Sequence, residues 1–317
     1  MPRMRLKMHQ LLLFLLPALA GCEEEFLPEI PDSEPQLVVE GYIEAGERPT
    51  PPYVLLTRSI PFFSDIDFEE LGDLFVHGAE VRVSDGEREV QLQEICWSEL
   101  PPALQKEAAR LFGFQPDSLR IDFCAYVDLS FSMLGEIGKT YHLTVQAEGQ
   151  TLRAQTSLPP PVPLDSLHFV DAPGEPNDTL AQLRVFLPDP PGQANFYRYF
   201  VRVNDGPLLP GFPSVTDDRL FDGQRFELPL ARPESRETDF GDLDFSTLGM
   251  FTVGDSILLK WTTLDEAHFN FWNTLEFNAA NQGPFSSYTR IDSNIEGGLG
   301  IWGGYTALYY PMEVRKN

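Results

Sequence analysis

The sequence predicts a mainly β chain arranged as two β-sandwich-like domains. Three observations carry that expectation. Short segments alternate apolar with polar side chains, as in Ala79-Glu80-Val81-Arg82-Val83 and Tyr141-His142-Leu143-Thr144-Val145. Turn pairs such as Asp85-Gly86 and Glu148-Gly149 separate them. The 28 Pro and 24 Gly among 317 residues suit many turns and few long helices. Helical spacing is expected in two places, a short insertion in the first domain and a longer helix in the second.

At the amino terminus, Arg3, Arg5 and Lys7 precede the apolar run Leu11 to Ala20. That run is too short to cross a bilayer as a helix, which needs roughly 20 apolar residues. Residues 1–21 therefore read as a secretory signal. Leu19-Ala20-Gly21-Cys22 is similar to the lipobox of bacterial lipoproteins. The resemblance implies cleavage before Cys22 and lipidation of its thiol, with several acyl chains giving a stable anchor. Residues 22–35 are acidic and contain Pro28, Pro31 and Pro35, which marks a tether. Glu23, Glu24 and Glu25 read either as a solvated start to that tether or as a surface-export signal.

The first domain is expected over 36–158 as an antiparallel β-sandwich. Its strands are Gln36 to Ile43, Tyr53 to Arg58, Ala79 to Ser84, Glu89 to Ile95, Ile121 to Val127, Thr140 to Gln146 and Leu152 to Ser157. An insertion over about 96–124 breaks the pattern. Within it, Pro102 to Phe112 has a Pro at its start and strong helix formers after it. Cys96 and Cys124 bracket this helix and are left as an even pair once Cys22 is lipidated. In an oxidising compartment they are expected to form a disulfide, with two separate buried thiols as the alternative. No second Cys or His stands near either one in the sequence, which argues against zinc.

Leu158-Pro159-Pro160-Pro161-Val162-Pro163 favours extended geometry, so 159–164 reads as a stiff linker. The second domain, 165–317, is again β-rich, with strands at Leu180 to Leu187, Phe196 to Val203, Arg225 to Leu230, Ser256 to Thr262 and Tyr305 to Tyr310. Its helix is expected over Leu264 to Asn281, with Thr263 as N-cap and Glu266 completing a capping box.

Composition and motifs exclude several functions. With 48 acidic and 23 basic residues the formal charge is -25, which repels nucleic acid and anionic membrane surfaces. Asp265-Glu266-Ala267-His268 spells a helicase box, but Gly135-Glu136-Ile137-Gly138-Lys139-Thr140 has the wrong glycine spacing for a phosphate loop. Gly254-Asp255-Ser256-Ile257 is similar to a hydrolase nucleophile block, yet it opens a strand and lacks the α/β framework. Gly298 to Gly303 matches a dinucleotide fingerprint without its βαβ unit. No catalytic residue, cofactor or metal is expected. Acidic groups at Asp65/Asp67, Asp217/Asp218/Asp222 and Asp239/Asp242/Asp244 are calcium candidates by composition, but solvated loops are the simpler reading.

Aromatic residues suggest a binding surface instead. Trp302, Tyr305, Tyr309 and Tyr310 cluster near the end, and Phe62, Phe63 and Phe68 near a loop. Ligand or partner contact is expected at Trp302, Tyr305, Asn294 and Glu296, with core packing as the alternative fate of the aromatics. The segments Leu37 to Ile43, Gly78 to Val83, Gly138 to Val145, Leu158-Pro159-Pro160, Asn195 to Arg198 and above all Ser293 to Tyr305 together resemble the family of lipoproteins known as domain of unknown function 4249. The resemblance implies an outer-membrane lipoprotein whose first domain is immunoglobulin-like or carboxypeptidase-regulatory-like. It also implies an accessory or binding role beside a TonB-dependent transporter in nutrient uptake. An adhesin or glycan-binding module is the alternative, and no catalytic residue is carried over.

Overall fold

The computed structural model describes residues 34–60, 68–111, 122–174, 177–234, 244–281 and 290–316. Residues 1–21, expected as a signal, with Cys22 and Glu23 to Glu25 lie outside these residues, as do Phe62, Phe63, Asp65, Asp67, Asp239, Asp242 and the side chain of Phe68.

The alternating segments form the strands. In chain order they are β1 (Leu37–Gly46), β2 (Tyr53–Arg58), β3 (Glu80–Ser84), β4 (Glu89–Cys96), β5 (Cys124–Val127), β6 (Thr140–Ala147) and β7 (Gln150–Ser157). The second half adds β8 (Ser166–Asp171), β9 (Leu180–Pro188), β10 (Phe196–Val203), β11 (Leu208–Asp217), β12 (Arg225–Leu230), β13 (Phe251–Thr252), β14 (Ser256–Leu264) and β15 (Leu299–Glu313). Two α-helices occur among the described residues, α1 (Pro102–Leu111) and α2 (Glu266–Ala280). The fold is mainly β, with large open sheets of sandwich character.

One path of eleven strands runs β11-β10-β14-β15-β1-β2-β5-β4-β3-β6-β7. It bends at β4, whose first half pairs with β3 (Val81 opposite Leu92) and whose second half pairs with β5 (Cys96 opposite Cys124). That bend folds β3, β6 and β7 over β1 and β2. The first core fills the space between, with Val39, Ile43, Val54, Val81, Tyr141, Leu143 and Trp302. A smaller sheet, β12-β9-β13 with β8 beside β9, packs on β10 and β14 around Leu183, Val185, Tyr197, Leu259 and Trp261. Residues 159–164 are packed between these parts: Val162 and Leu164 are buried, and the Trp261 Nε1–H donates to Val162 O at 3.1 Å.

Three features depart from the expected elements. The sandwich is not purely antiparallel, because β15 lies parallel to β1, Val38 opposite Leu299 through Gly46 opposite Ala307. Strands β8, β11 and β13 are additional. β11 carries Pro210 and Pro213, which a central strand would not tolerate, and it sits at the end of the sheet path where a missing N–H costs nothing. Helix α2 begins later than expected. Its N-cap is Asp265, whose Oδ1 accepts the His268 N–H at 2.9 Å. Thr263 remains in β14, and its hydroxyl accepts the Val162 N–H.

Candidate functional site

Strand alternation decides which side chains face α2. From β10, Tyr197 and Val201 turn into the second core, and Arg198 and Phe200 turn the other way. β14 sends Leu259 and Trp261 inward and Lys260, Thr262 and Leu264 outward. β1 presents Glu40 and Tyr42, β2 presents Tyr53 and Leu55, and β15 presents Tyr305. Helix α2 crosses over this face and contributes His268 and Trp272, and β11 adds Leu208 and Pro210 at the side. The result is a cavity of about 210 Å³. Gly303 explains how α2 comes so close: a Cβ there would lie 2.7 Å from the His268 ring.

The cavity holds two cations in different states. Lys260 is 4% exposed, and its Nζ donates to Glu44 Oε2 at 2.9 Å and to the Tyr305 hydroxyl at 3.2 Å. Glu44 is 1% exposed and also accepts hydroxyl hydrogens from Tyr305 at 3.1 Å, Tyr309 at 2.8 Å and Thr50 at 3.3 Å. Both charges of this pair are hydrogen-bonded, Lys260 to two partners and Glu44 from four. Burial still pulls the Lys260 ammonium down from its ordinary range, against the attraction of Glu44.

Arg198 is 4% exposed and forms no ion pair among the described residues. Its guanidinium makes one hydrogen bond there, Nε to Ser214 Oγ at 2.9 Å. Ser214 is in turn held by Glu276, which accepts its N–H at 2.9 Å and its hydroxyl hydrogen. The guanidinium carbon sits over Trp272, 3.6 Å from the ring centre, with Phe200 at 4.8 Å. Desolvation lowers its pKa first, offset by Tyr42, Glu276 and Glu40 at longer range.

His268 is wholly buried and its pKa is pushed down to about 3, by desolvation and then by Arg198. It is therefore neutral. Its Nδ1 lies 3.2 Å from the Gly304 carbonyl and must donate there, which leaves Nε2 as an acceptor. That Nε2 is buried with no partner, as is the Trp272 indole N–H.

The family model for domain of unknown function (DUF4249) matches residues 23–309. The chain belongs to the DUF4249 family. No curated protein and no solved structure matches it.

Of the contact residues expected in this DUF4249 protein, only Tyr305 lines the cavity. Trp302 is wholly buried in the first core, its indole N–H donating to Tyr141 O at 3.2 Å. Asn294 is spent on structure: its amide bonds the Trp302 backbone on both sides, at 2.8 and 2.9 Å, and reaches Gln155 O. Glu296 exchanges two backbone bonds with Arg153, and its side chain is exposed. The disulfide Cys96–Cys124 is present and joins β4 to β5 beneath the α1 insertion. The tertiary fold does bring a histidine to it, which the sequence could not disclose, because His77 and Glu94 sit beside the two sulfurs.

The catalytic look-alikes resolve into structure. Ser256 opens β14 and Asp265 follows its last residue, about 30 Å away by strand rise, so Ser256 has neither Asp265 nor His268 as a partner. Gly300 takes a φ of +103° because a Cβ would strike Val39 O. Asp218 and Asp222 meet Asp189 rather than Asp217, which pairs with Arg219. Within that group Asp189 accepts from the Tyr197 hydroxyl and Gly223 N–H, and Asp218 from Asn195. Arg198, Lys260 and Glu44 escaped sequence reasoning because polar positions in a strand read as a solvent face, whereas His268 and Trp272 fall at helical spacing on the face by which α2 packs on the sheet. The available signal was a lone Lys in Ile257-Leu258-Leu259-Lys260-Trp261, apolar on both faces.

Proposed function

We propose that this protein is a lipid-anchored binding protein of the bacterial outer membrane, exposed at the cell surface and accessory to a TonB-dependent transporter. It captures a small molecule in the cavity beneath α2 for uptake. It acts by binding, not by catalysis.

The observation that carries the binding function is Arg198, buried without an ion pair among the described residues, beside two buried atoms without hydrogen-bond partners, His268 Nε2 and Trp272 Nε1, on the wall of one aromatic cavity. Convergent polar groups in an apolar concavity are the usual make-up of a ligand site. The lipobox ending at Cys22 and the acids after it support the address. Membership of DUF4249 supports the partnership.

Three measurements test this function. Acyl labelling is expected in wild type and lost in Cys22→Ala. Protease added to intact cells is expected to cleave the chain. Affinity purification from outer membranes is expected to bring down a TonB-dependent transporter. Labelling that survives the substitution, full protection from protease, or a transporter-free eluate each removes its part of the proposal.

A further inference from the structure

We infer that the cavity under α2 takes a small organic carboxylate with an aromatic body, its carboxylate seated on Arg198. The inference rests on the binding function proposed above and names the ligand class for that site.

A charge removed from water is stable only when paired and hydrogen-bonded. Arg198 is nearly as buried as Lys260, yet only Lys260 has its carboxylate. The acids around Arg198 are already engaged: Glu276 holds Ser214, and Glu40, exposed and also lining the cavity, accepts from the Tyr42 hydroxyl at 3.1 Å. Glu44 is committed to Lys260 and the hydroxyls around it. The missing partner is therefore an anion from outside the chain.

Its shape follows from the donors. Ser214 engages Nε, and Trp272 covers the guanidinium carbon at 3.6 Å. The two terminal nitrogens are left as a planar fork, the geometry that a carboxylate meets with two parallel bonds. One free cation matches one negative charge, which disfavours a multiply charged phosphate.

Size and walls complete the assignment. A volume of about 210 Å³ equals roughly seven waters and is smaller than a drug-sized pocket. Tyr42, Tyr53, Phe200 and Tyr305 line it, surfaces suited to a planar apolar body. His268 Nε2 accepts a hydrogen, so a hydroxyl or amino group on the ligand completes the site.

The test uses the lipoprotein purified in a non-ionic detergent. Benzoate, phenylacetate and 4-hydroxyphenylacetate are titrated by calorimetry and thermal shift against their amides and against inorganic phosphate. The acids are expected to bind and raise the melting midpoint, with the amides at least about tenfold weaker. Arg198→Met is expected to lose acid affinity by at least about tenfold while its ligand-free midpoint stays level or rises, because an unpaired charge has gone. Amides that match their acids, an Arg198→Met variant with unchanged acid affinity, phosphate binding in place of the acids, or no binding by any acid overturns the carboxylate assignment. The amide comparison in wild type holds even if the variant fails to fold. Failure of the binding function itself reads differently: no compound in a broad charged and neutral library shifts the midpoint.

Discussion

Glu44 and Lys260 are worth more together than either is alone. Each is buried, and the four hydrogen bonds reaching Glu44 compensate its loss of water. Glu44→Ala would strand the ammonium and cost about 3–5 kcal/mol. The double replacement Glu44→Leu with Lys260→Met is expected to recover most of that loss, read from urea midpoints. His268 predicts a pH dependence. It faces Arg198 from β10, Tyr42 from β1 and Tyr305 from β15, and Asp265 from the start of its own helix. Its pKa is about 3 in the fold against 6.5 unperturbed, so the unfolded chain binds the extra proton. Stability is therefore constant above about pH 6.5 and is lost as pH falls below it, by about 1.4 kcal/mol per pH unit. His268→Gln is expected to flatten that slope between pH 6.5 and 5 in chemical denaturation.

Helix α2 is tied to the first half of the chain by its own cap. Asp265 Oδ1 holds the helix start, and Oδ2 accepts the Thr156 hydroxyl hydrogen and the Ser157 N–H of β7. Asp265→Ala is expected to cost about 2 kcal/mol, and Asp265→Asn distinctly less, by thermal or urea unfolding. The disulfide works at the same scale. It closes a separation of 28 residues around α1, and loop-entropy reasoning gives about 3–4 kcal/mol for its loss in a Cys96→Ala, Cys124→Ala variant. Elements were legible where one physical rule decided them. β3 and β6 show strict alternation because one face is wet. β2, β10 and β12 were recovered at their observed ends. β11 was hidden by its prolines, and β15 was foreseen only at Tyr305 to Tyr310 because Gly297, Gly298, Gly300, Gly303 and Gly304 mask its start. The cavity was illegible, since it depends on α2 folding back over polar strand positions, a long-range event without local pattern.

At the scale of the whole molecule, β15 is the junction. It pairs with β14 on one side and β1 on the other, gives Trp302 to the first core, packs Tyr310 and Met312 against the second, and lends Tyr305 to the cavity. Gly300 permits the β1 contact, since a Cβ would sit 1.9 Å from Val39 O. Gly300→Ala is expected to destabilise by several kcal/mol, because it combines a forbidden backbone angle with a clash against main chain. A calorimetric midpoint near that of wild type would contradict this. The order of synthesis gives the same junction another meaning. In chain order β15 follows both of its partners, so β1 and β14 leave the ribosome before it does. Until it arrives, β1 and β14 each carry a bare hydrogen-bonding edge, and both cores lack a wall. A chain made only as far as β14 is therefore an open template for pairing with its neighbours, and the arrival of β15 closes both edges at once.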